Sequence, residues 1–281
     1  MLIGLKSRLP KLIHVIPCQD GSGVSAVTSL EDEVFVARYN SKWIEVYDAV
    51  TFTLQHLITV TGLGPWPFGI AACARNKCIY LSDHDKNTIH RIEPSDCKAA
   101  QKWSVESGPA GLSVNNAHNL VVACCKASKL QEYTTLGNLV SEISLQAGLT
   151  SPWHAIQLTT GDYVVCQFRL PGVVNVVGEN GLVIKHSYEP SKTSDVGQMN
   201  GPSSLAATSN GDILVADLKN NRIQSINRST GCVQELALSV EGGIREPLGI
   251  CLDESRRRLY VGELEGQHRV LVFDIVAATL P

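Results

Sequence analysis

The stretch GPSSLAATSNGDILVADLKNNRIQSIN, residues 201–227, contains two apolar strands joined by a tight turn at Asn210 and Gly211. The second strand ends at Asp217, and a polar loop leads from there into a third, more amphipathic strand. An isolated hairpin is only marginally stable in water. This stretch therefore needs apolar neighbours to cover its faces, and they have to come from the rest of the sequence.

Copies of the same plan recur along the chain. Five other segments repeat the order of turn, apolar strand, polar turn, apolar strand and polar loop: residues 23–48, 67–92, 108–133, 151–177 and 246–273. Equivalent positions in the second strand, 41 to 50 residues apart in the numbering, are Val36, Leu81, Val122, Val165, Val215 and Val261. This spacing is typical of the blades of a β-propeller.

A fourth strand is expected after each copy, as in residues 139–145 and 232–238. The sequence therefore predicts an all-β fold, a six-bladed β-propeller of four-stranded antiparallel blades. We expect a single domain over residues 1–281, with blades at about 19–62, 63–106, 107–148, 149–196, 197–242 and 243–276. The sixth copy lacks a fourth strand, and residues 11–18 form a surplus strand before the first copy. We predict that this N-terminal strand completes the last blade and closes the ring.

Composition limits the classes of function. Of the 281 residues, 44% are hydrophobic and 18% are charged, and the net charge is -3. These values indicate a globular chain without a broad phosphate-binding surface. The N-terminal segment carries Lys6, Arg8 and Lys11, which interrupt the apolar core that a signal peptide needs. We expect a cytoplasmic, monomeric domain with no membrane contact, either complete or part of a longer protein.

Most of the nine cysteines lie in apolar strands. This placement is typical of buried, reduced thiols in an intracellular protein. Cys73 and Cys78 flank a predicted hairpin turn and would be able to form a disulfide if oxidised. No cofactor is predicted, because no Cys and His spacing matches a zinc module.

The repeated motif resembles the NHL repeat, which reads roughly P-x-G-[IV]-[AV]-x-[DN]-x-x-G-x-[IL]-[YV]-V-[AS]-D-x-x-N-x-R-[IV]-Q. The residues that carry the resemblance are Asp217, Asn221, Arg222, Ile223 and Gln224 in blade five, Gly69, Asp83, Asn87 and Ile89 in blade two, and Gly249, Asp253, Glu263 and Arg269 in blade six. The chain is most similar to the C-terminal propellers of animal TRIM-NHL proteins and their invertebrate relatives. The resemblance implies a platform that binds protein or RNA.

The end of the second strand carries a different side chain in each copy: Arg38, Asp83, Cys124, Gln167, Asp217 and Glu263. Such a mixture disfavours a symmetric metal site. A carboxylate at the end of a strand accepts hydrogen bonds from loop N–H groups. We therefore predict that Asp217 and Asp83 anchor loops and do not act as catalytic acids.

The loops on one face of the predicted ring, its top face, hold the candidate binding residues. These residues are Tyr39, Lys42, Trp66, Phe68, His84, Lys126, Lys129, Trp153, His154, Phe168, Arg169, Lys219, Arg222 and His268. Aromatic and arginine side chains at loop tips are typical of recognition surfaces. The alternatives are that Trp66 and Trp153 pack beneath the loops and that His154 is a hydrogen-bonded structural histidine.

Three functions are consistent with these residues. The first is a binding scaffold whose top face recognises a protein or peptide. The second is single-stranded RNA binding, which needs a basic and aromatic face. The third is an enzyme, because six-bladed relatives include calcium-dependent lactonases and esterases, strictosidine-synthase-like proteins and a zinc amidating lyase. The candidate ligands for such a metal are Asp83, Asp217, Glu263, His84, His154 and His268.

Overall fold

The computed structural model describes residues 10–18, 21–96, 98–168, 172–188 and 198–275. Strand β1 spans Lys11–Ile16. Blade one contains β2 (Val24–Leu30), β3 (Glu33–Arg38), β4 (Trp43–Asp48) and β5 (Leu54–Thr59). Blade two contains β6 (Ile70–Cys73), β7 (Cys78–Asp83), β8 (Thr88–Glu93) and β9 (Lys98–Ser104). Blade three contains β10 (Pro109–Val114), β11 (Leu120–Cys124), β12 (Lys129–Tyr133) and β13 (Leu139–Ser144).

Blade four contains β14 (Pro152–Gln157), β15 (Tyr163–Gln167), β16 (Val173–Val177) and β17 (Ile184–Tyr188). Blade five contains β18 (Pro202–Ala207), β19 (Ile213–Asp217), β20 (Arg222–Ile226) and β21 (Val233–Glu235). Blade six contains β22 (Pro247–Asp253), β23 (Arg258–Glu263) and β24 (Val270–Asp274). Two short 3-10 helices span Pro94–Asp96 and Leu218–Asn220. The prediction of six antiparallel blades is confirmed, although β21 has only three residues.

The ring closes as the sequence predicts. Strand β1 pairs antiparallel with β24, with Lys11 opposite Asp274 and Ile16 opposite Val270. The sixth sheet therefore has the order β1-β24-β23-β22, and its outermost strand comes from the other end of the chain. The N-terminal strand joins residues far apart in sequence into one blade.

The core consists of six apolar clusters, each lying between two neighbouring blades. Strand β19 shows why the blades need one another, because all five of its residues are buried. Ile213 and Val215 pack toward blade four, whereas Leu214 and Ala216 pack toward blade six. Successive side chains of a strand point to opposite faces of the sheet. A blade thus buries both faces only inside the complete ring.

The outer strands are joined from blade to blade. Thr59 at the end of β5 forms a parallel bridge with Lys98 at the start of β9. Gln101 Nε2 donates to the Leu136 carbonyl at 2.8 Å, linking blades two and three. Gln146 N–H donates to the Gly181 carbonyl at 3.2 Å, linking blades three and four. These bonds form a belt around part of the ring.

Two further expectations concern cysteines and membranes. Cys73 and Cys78 are free and buried, and they lie opposite each other in the β6–β7 hairpin. Of the residues that the structure describes, none belongs to a helix long and apolar enough to span a membrane.

Candidate functional site

Asp217 anchors the loop that leads into blade five. Its side chain is fully buried, and its Oδ1 accepts the Asn200 N–H at 2.6 Å. Its Oδ2 accepts Asn220 Nδ2 at 2.8 Å, Arg222 Nε at 2.9 Å and Gln224 Nε2 at 3.2 Å. With both oxygens engaged inside the protein, the carboxylate has a structural role, as predicted.

The equivalent side chains hold the corresponding loops in other blades. Asp83 Oδ2 accepts the Gly64 N–H at 2.7 Å, and Glu263 Oε1 accepts the Arg245 N–H at 2.9 Å. Gln167 instead donates through Nε2 to the Thr150 carbonyl. The position therefore tolerates donors and acceptors, because a loop backbone offers both carbonyl and N–H groups.

In blade one, the side chain at the end of the second strand is the cation Arg38, and it also anchors a loop. The buried Arg38 Nη1 donates to the Ser22 carbonyl at 3.1 Å and to the His268 carbonyl at 2.7 Å. Its Nε donates to Glu45 Oε1 at 2.8 Å, and Tyr47 donates its hydroxyl to Glu45 Oε2 at 2.9 Å. Hydrogen bonds to buried charges offset part of the cost of removing them from water.

Asn87 and Asn221 join the top loops of blades two and five to the next blade in the ring. Both adopt left-handed backbone conformations, with φ of 51° and 56°, which asparagine tolerates better than most residues. Asn87 Oδ1 accepts the Gly108 N–H at 2.7 Å, and Asn221 Oδ1 accepts the Glu246 N–H at 2.8 Å. The asparagine of the repeat is thus an inter-blade clamp.

The third strands of blades one to five contain a row of buried polar side chains, of which the sequence motif indicated only Gln224. These polar side chains are Glu45, His90, Gln131, Asn175 and Gln224. In the same order, they lie opposite Val36, Leu81, Val122, Val165 and Val215 of the second strands. His90 Nε2 lies 3.8 Å from Asp83 Oδ2. Burial alone would raise the pKa of Asp83, but the neighbouring His90 and hydrogen bonds from the Gly64 and Lys86 N–H groups lower it below its usual value. The sequence signal for this row is a polar residue that directly follows an apolar residue at the same place in each of these third strands.

Six aromatic rings on the top face form a continuous aromatic cluster, namely Tyr39, Trp66, Phe68, His84, Trp153 and Phe168. Ring centroids lie 5.1 Å apart for Tyr39–Trp66, 5.8 Å for Tyr39–Phe68, 5.9 Å for Trp66–Phe68, 5.0 Å for Phe68–His84, 4.7 Å for Phe68–Trp153 and 4.8 Å for Trp153–Phe168. Phe68 contacts four of the other rings and is the hub. Trp66 remains 45% exposed, so the cluster presents an aromatic surface to solvent.

The aromatic cluster extends across the top face of the propeller, with side chains from blades one, two and four. The residue after the leading proline is aromatic in blades two and four, Phe68 and Trp153, whereas blade three has Ala110 in the same place. In blade four the β14–β15 register shifts between Pro152 and His154, so Trp153 lies at a bulge. Bulges re-aim side chains, and this one accompanies the contact between Trp153 and Phe68.

Gly201 leaves space for the far end of the cluster. It has φ of +69°, and a Cβ atom there would lie 3.2 Å from Phe168 Cε2. A side chain would face both backbone strain and crowding against this ring. The glycine that opens the blade-five repeat thus permits close approach of an aromatic residue from blade four.

The two histidines nearest the cluster are held by the backbone. His84 Nδ1 donates to the Pro109 carbonyl at 3.2 Å, and burial lowers its pKa. The buried His154 donates from Nε2 to the Leu112 carbonyl at 3.0 Å, and its Nδ1 accepts the Leu205 N–H at 2.9 Å. Burial lowers the pKa of His154 to about 4. His154 is therefore a neutral structural residue that joins blades three, four and five.

An axial cavity of about 220 Å³ lies among the inner strands, and Phe68 and His154 are among its lining residues. Room for the imidazole comes from Gly111, where a Cβ atom would lie 2.4 Å from His154 Cδ2. The hub of the aromatic cluster thus also contributes to the wall of the axial cavity.

Three of the predicted top-face cations form ion pairs. Lys219 Nζ lies 2.6 Å from Glu246 Oε1, and Lys129 pairs with Glu106 and Glu142. Arg222, whose side chain is 15% exposed, pairs with Asp217. These pairs neutralise much of the positive charge that the sequence placed on this face.

The remaining predicted residues have other placements. Lys42 lies with Nζ 5.3 Å from the Trp43 ring centroid, and Lys126 is exposed. His268 shapes its own loop, with φ of 53° and an Nδ1 that donates to the Leu264 carbonyl at 2.7 Å. Arg169 lies outside the described residues. Within the described ranges, no group of three His, Cys, Asp or Glu side chains is placed to hold a metal ion.

Comparisons with known proteins agree with this architecture. The NHL repeat matches residues 199–225, which cover the centre of blade five. No curated protein sequence matches the chain. This match covers one repeat, and the similarity to TRIM-NHL proteins remains a prediction.

Solved structures with the same fold differ widely in sequence. Hydrazine synthase of Kuenenia stuttgartiensis has a TM-score of 0.67 and 16% identity, over 92% of this chain and 78% of that one. A streptogramin B lyase has a TM-score of 0.65 and 14% identity, over 94% and 97% of the two chains. Virginiamycin B lyase from Staphylococcus aureus has a TM-score of 0.67 and 12% identity, over 95% and 100%. At these identities the likeness establishes the fold alone.

Proposed function

We propose that this NHL-repeat propeller is a binding scaffold whose aromatic cluster recognises a protein or peptide partner. The observation that carries the proposal is the unbroken series of ring contacts from Tyr39 to Phe168 across the top face. Aromatic side chains dominate the energetic centres of protein interfaces. Here their positions are fixed by the blades, so little conformational entropy remains to be lost on binding.

Packing and recognition are divided among the rings. Phe68 is half-buried and contacts four aromatic neighbours, whereas Trp66 is 45% exposed. We therefore expect Phe68 to maintain the cluster and Trp66 to contact the partner. The predicted alternative that both Trp66 and Trp153 only pack beneath loops fits Trp153 better than Trp66.

The other predicted functions receive less support. Single-stranded RNA binding needs a positively charged groove, and three of the predicted top-face cations, Lys129, Lys219 and Arg222, are paired with carboxylates. An enzyme would agree with the lyases that share the fold, but no group of three His, Cys, Asp or Glu side chains among the described residues is placed to hold a metal ion for it. The similarity to TRIM-NHL propellers and the cytoplasmic location remain predictions.

Peptide display tests the proposal. A library of random linear peptides would be selected on the immobilised propeller, and the enriched peptides would be titrated against the wild type, Trp66→Ser and Leu139→Ser. Leu139 is a matched control because it is an exposed apolar residue, at 51%, on the outer strand of blade three. We expect Trp66→Ser to weaken binding at least about tenfold, equivalent to about 1.4 kcal/mol, and Leu139→Ser to leave it unchanged.

Two results would contradict the proposal. Enriched peptides that bind Trp66→Ser as tightly as the wild type would place their site elsewhere on the ring. Selection that yields no peptide specific for the folded propeller would also count against peptide recognition. Thermal melts of both variants establish that they remain folded.

A further inference from the structure

Three lysines beside the aromatic cluster differ from the other cations of the top face. Lys42, Lys86 and Lys126 lie in the equivalent top loops of blades one, two and three. All three are exposed, and none takes part in an ion pair formed by the described residues. We call them the lysine rim.

Backbone contacts place Lys42 and Lys86 near the Trp66 side of the cluster. Asn40 N–H, two residues before Lys42, donates to the Pro65 carbonyl at 3.0 Å, so this loop adjoins the residue before Trp66. Lys86 Nζ donates to the Gly62 carbonyl at 2.6 Å, in the loop that leads to Trp66. The Lys86 ammonium and the loop that carries Lys42 therefore adjoin the segment that leads to the exposed tryptophan.

Lys126 lies near the His84 side of the cluster. A Cβ atom on Gly108 would come within 2.9 Å of Lys126 Cγ, so the lysine stem runs over the loop into blade three. The next residue, Pro109, accepts the His84 hydrogen bond. The positive charge of Lys126 also contributes to lowering the pKa of His84, after burial.

Opposing charge near the cluster is limited. Asp85 is exposed and adjoins His84, and it is the one acidic residue in the loop segments that hold the three lysines. Glu265 is exposed on blade six, which contributes no ring to the cluster. Three ammonium groups on three consecutive blades thus outnumber the carboxylate beside the rings.

The extent of the rings limits the length of the ligand. Neighbouring rings from Tyr39 through Trp66, Phe68 and Trp153 to Phe168 are separated by 4.7 to 5.9 Å at each step. Because Tyr39 also lies 5.8 Å from Phe68, the rings span at most about 15 Å from end to end, which an extended peptide covers with about five residues at roughly 3.3 Å each. Alternate side chains of such a peptide would face the rings.

We propose that the segment recognised by the aromatic cluster is an acidic peptide, with apolar residues on the rings and Asp or Glu side chains opposite the lysine rim. This inference rests on the proposed function and specifies its ligand. Apolar anchors supply affinity in such an interface, whereas complementary rim charges supply specificity and association rate. A short acidic stretch suits a rim of three point charges on one side of the ring.

Three display libraries test the inference. They share a randomised apolar core and differ in flanking residues, which are Glu, Gln or Lys. Each library is selected on the wild type and on the triple variant K42Q/K86Q/K126Q, with Lys77→Gln as a control for charge loss on the opposite face, where Lys77 pairs with Glu31. Binding is measured by tryptophan fluorescence at two salt concentrations.

We expect Glu-flanked peptides to bind the wild type about tenfold more tightly than Lys-flanked peptides, and to lose that preference with the triple variant and at high salt. Equal enrichment of the three libraries would overturn the inference but leave peptide recognition intact. Failure of all three would count against peptide recognition itself. A uridine oligonucleotide that outcompetes the acidic peptides at the lysine rim would show that the rim serves nucleic acid and overturn the inference.

Discussion

At the scale of single residues, the ends of the second strands hold the top loops of five dissimilar blades, whereas Cys124 of blade three donates to Gln131 Oε1 instead. Asp83, Asp217 and Glu263 accept loop N–H groups, and Gln167 donates to a loop carbonyl. The chemistry varies while the loop is held in the same way. The mixed residue types at this position are consistent with anchoring, because a shared reaction would need shared groups.

Removing the Asp217 carboxylate should destabilise the protein. Asp217→Ala leaves the Asn200 N–H and the side chains of Arg222 and Gln224 without their buried acceptor. We expect a loss of about 1–3 kcal/mol in the free energy of unfolding, measured by urea denaturation at neutral pH. Asp85→Ala, in the exposed part of the blade-two loop, should change the same quantity by less than about 0.5 kcal/mol. Equal effects of the two substitutions would contradict the anchoring role.

Sequence reasoning anticipated the anchors but not the ion pairs. A carboxylate that ends an apolar strand is a local pattern, so Asp217 and Asp83 were open to prediction. The two partners of Lys129 lie 23 and 13 residues away, and the partner of Lys219 lies 27 residues away, on other strands or loops. Nothing in a single repeat indicates which acidic residue will meet which lysine once the blades are assembled.

At the scale of elements, the inner strands meet at the axis of the propeller, and His154 connects three of them. Its ring joins Leu112 of β10 to Leu205 of β18, and Gly111 provides the space. The sequence shows only a histidine after a Pro-Trp pair. The sequence indicated that His154 could be a hydrogen-bonded structural histidine. It did not indicate that the two bonding partners would come from blades three and five.

The pKa of His154 predicts a pH dependence of stability. It is lowered from 6.5 to about 4 in the folded protein, so the unfolded chain binds the proton more strongly. Stability from the neutral ring is therefore present above pH 6.5 and is lost as the pH falls from 6.5 towards 4, by up to about 3 kcal/mol. Melting temperatures across this range should fall less steeply for His154→Gln than for the wild type. Parallel curves for the two proteins would contradict the assignment.

The aromatic cluster is also a property of elements. Its members were identified from sequence because aromatic residues at loop tips stand out. Their convergence was not predictable, since it depends on how far the side chains of blades two and four reach across the top face past Ala110 of blade three. A repeat alignment shows equivalent positions, whereas the contact between Phe68 and Trp153 joins blades that are not neighbours.

At the scale of the whole molecule, the fold was the most predictable feature. Spacing of the repeats gave the blade number, and burial of both faces of strands such as β19 required a ring. Closure by β1 was predictable because one copy lacked a strand and the chain had one to spare. What binds to the ring was not predictable to the same degree, because propeller folds carry many functions.

Deleting residues 1–18 should lower the melting temperature sharply. The deletion removes β1 together with Leu12 and Ile16, which pack into the apolar clusters on the two faces of blade six, and it exposes the edge of β24. A deletion of residues 1–9 alone serves as the control, because it leaves β1 whole. Calorimetric scans that show the same melting temperature for the two proteins would contradict the closure as a source of stability.

The pairing of β1 with β24 also determines how the ring responds to mechanical load. Lys11 lies opposite Asp274, so the outward ends of both strands are at the same end of the ladder. Tension applied between these two points pulls the strands apart like a zipper, breaking hydrogen bonds one pair after another and not all together. The sixth blade would consequently yield at low force, while the other five blades carry no load until it has opened.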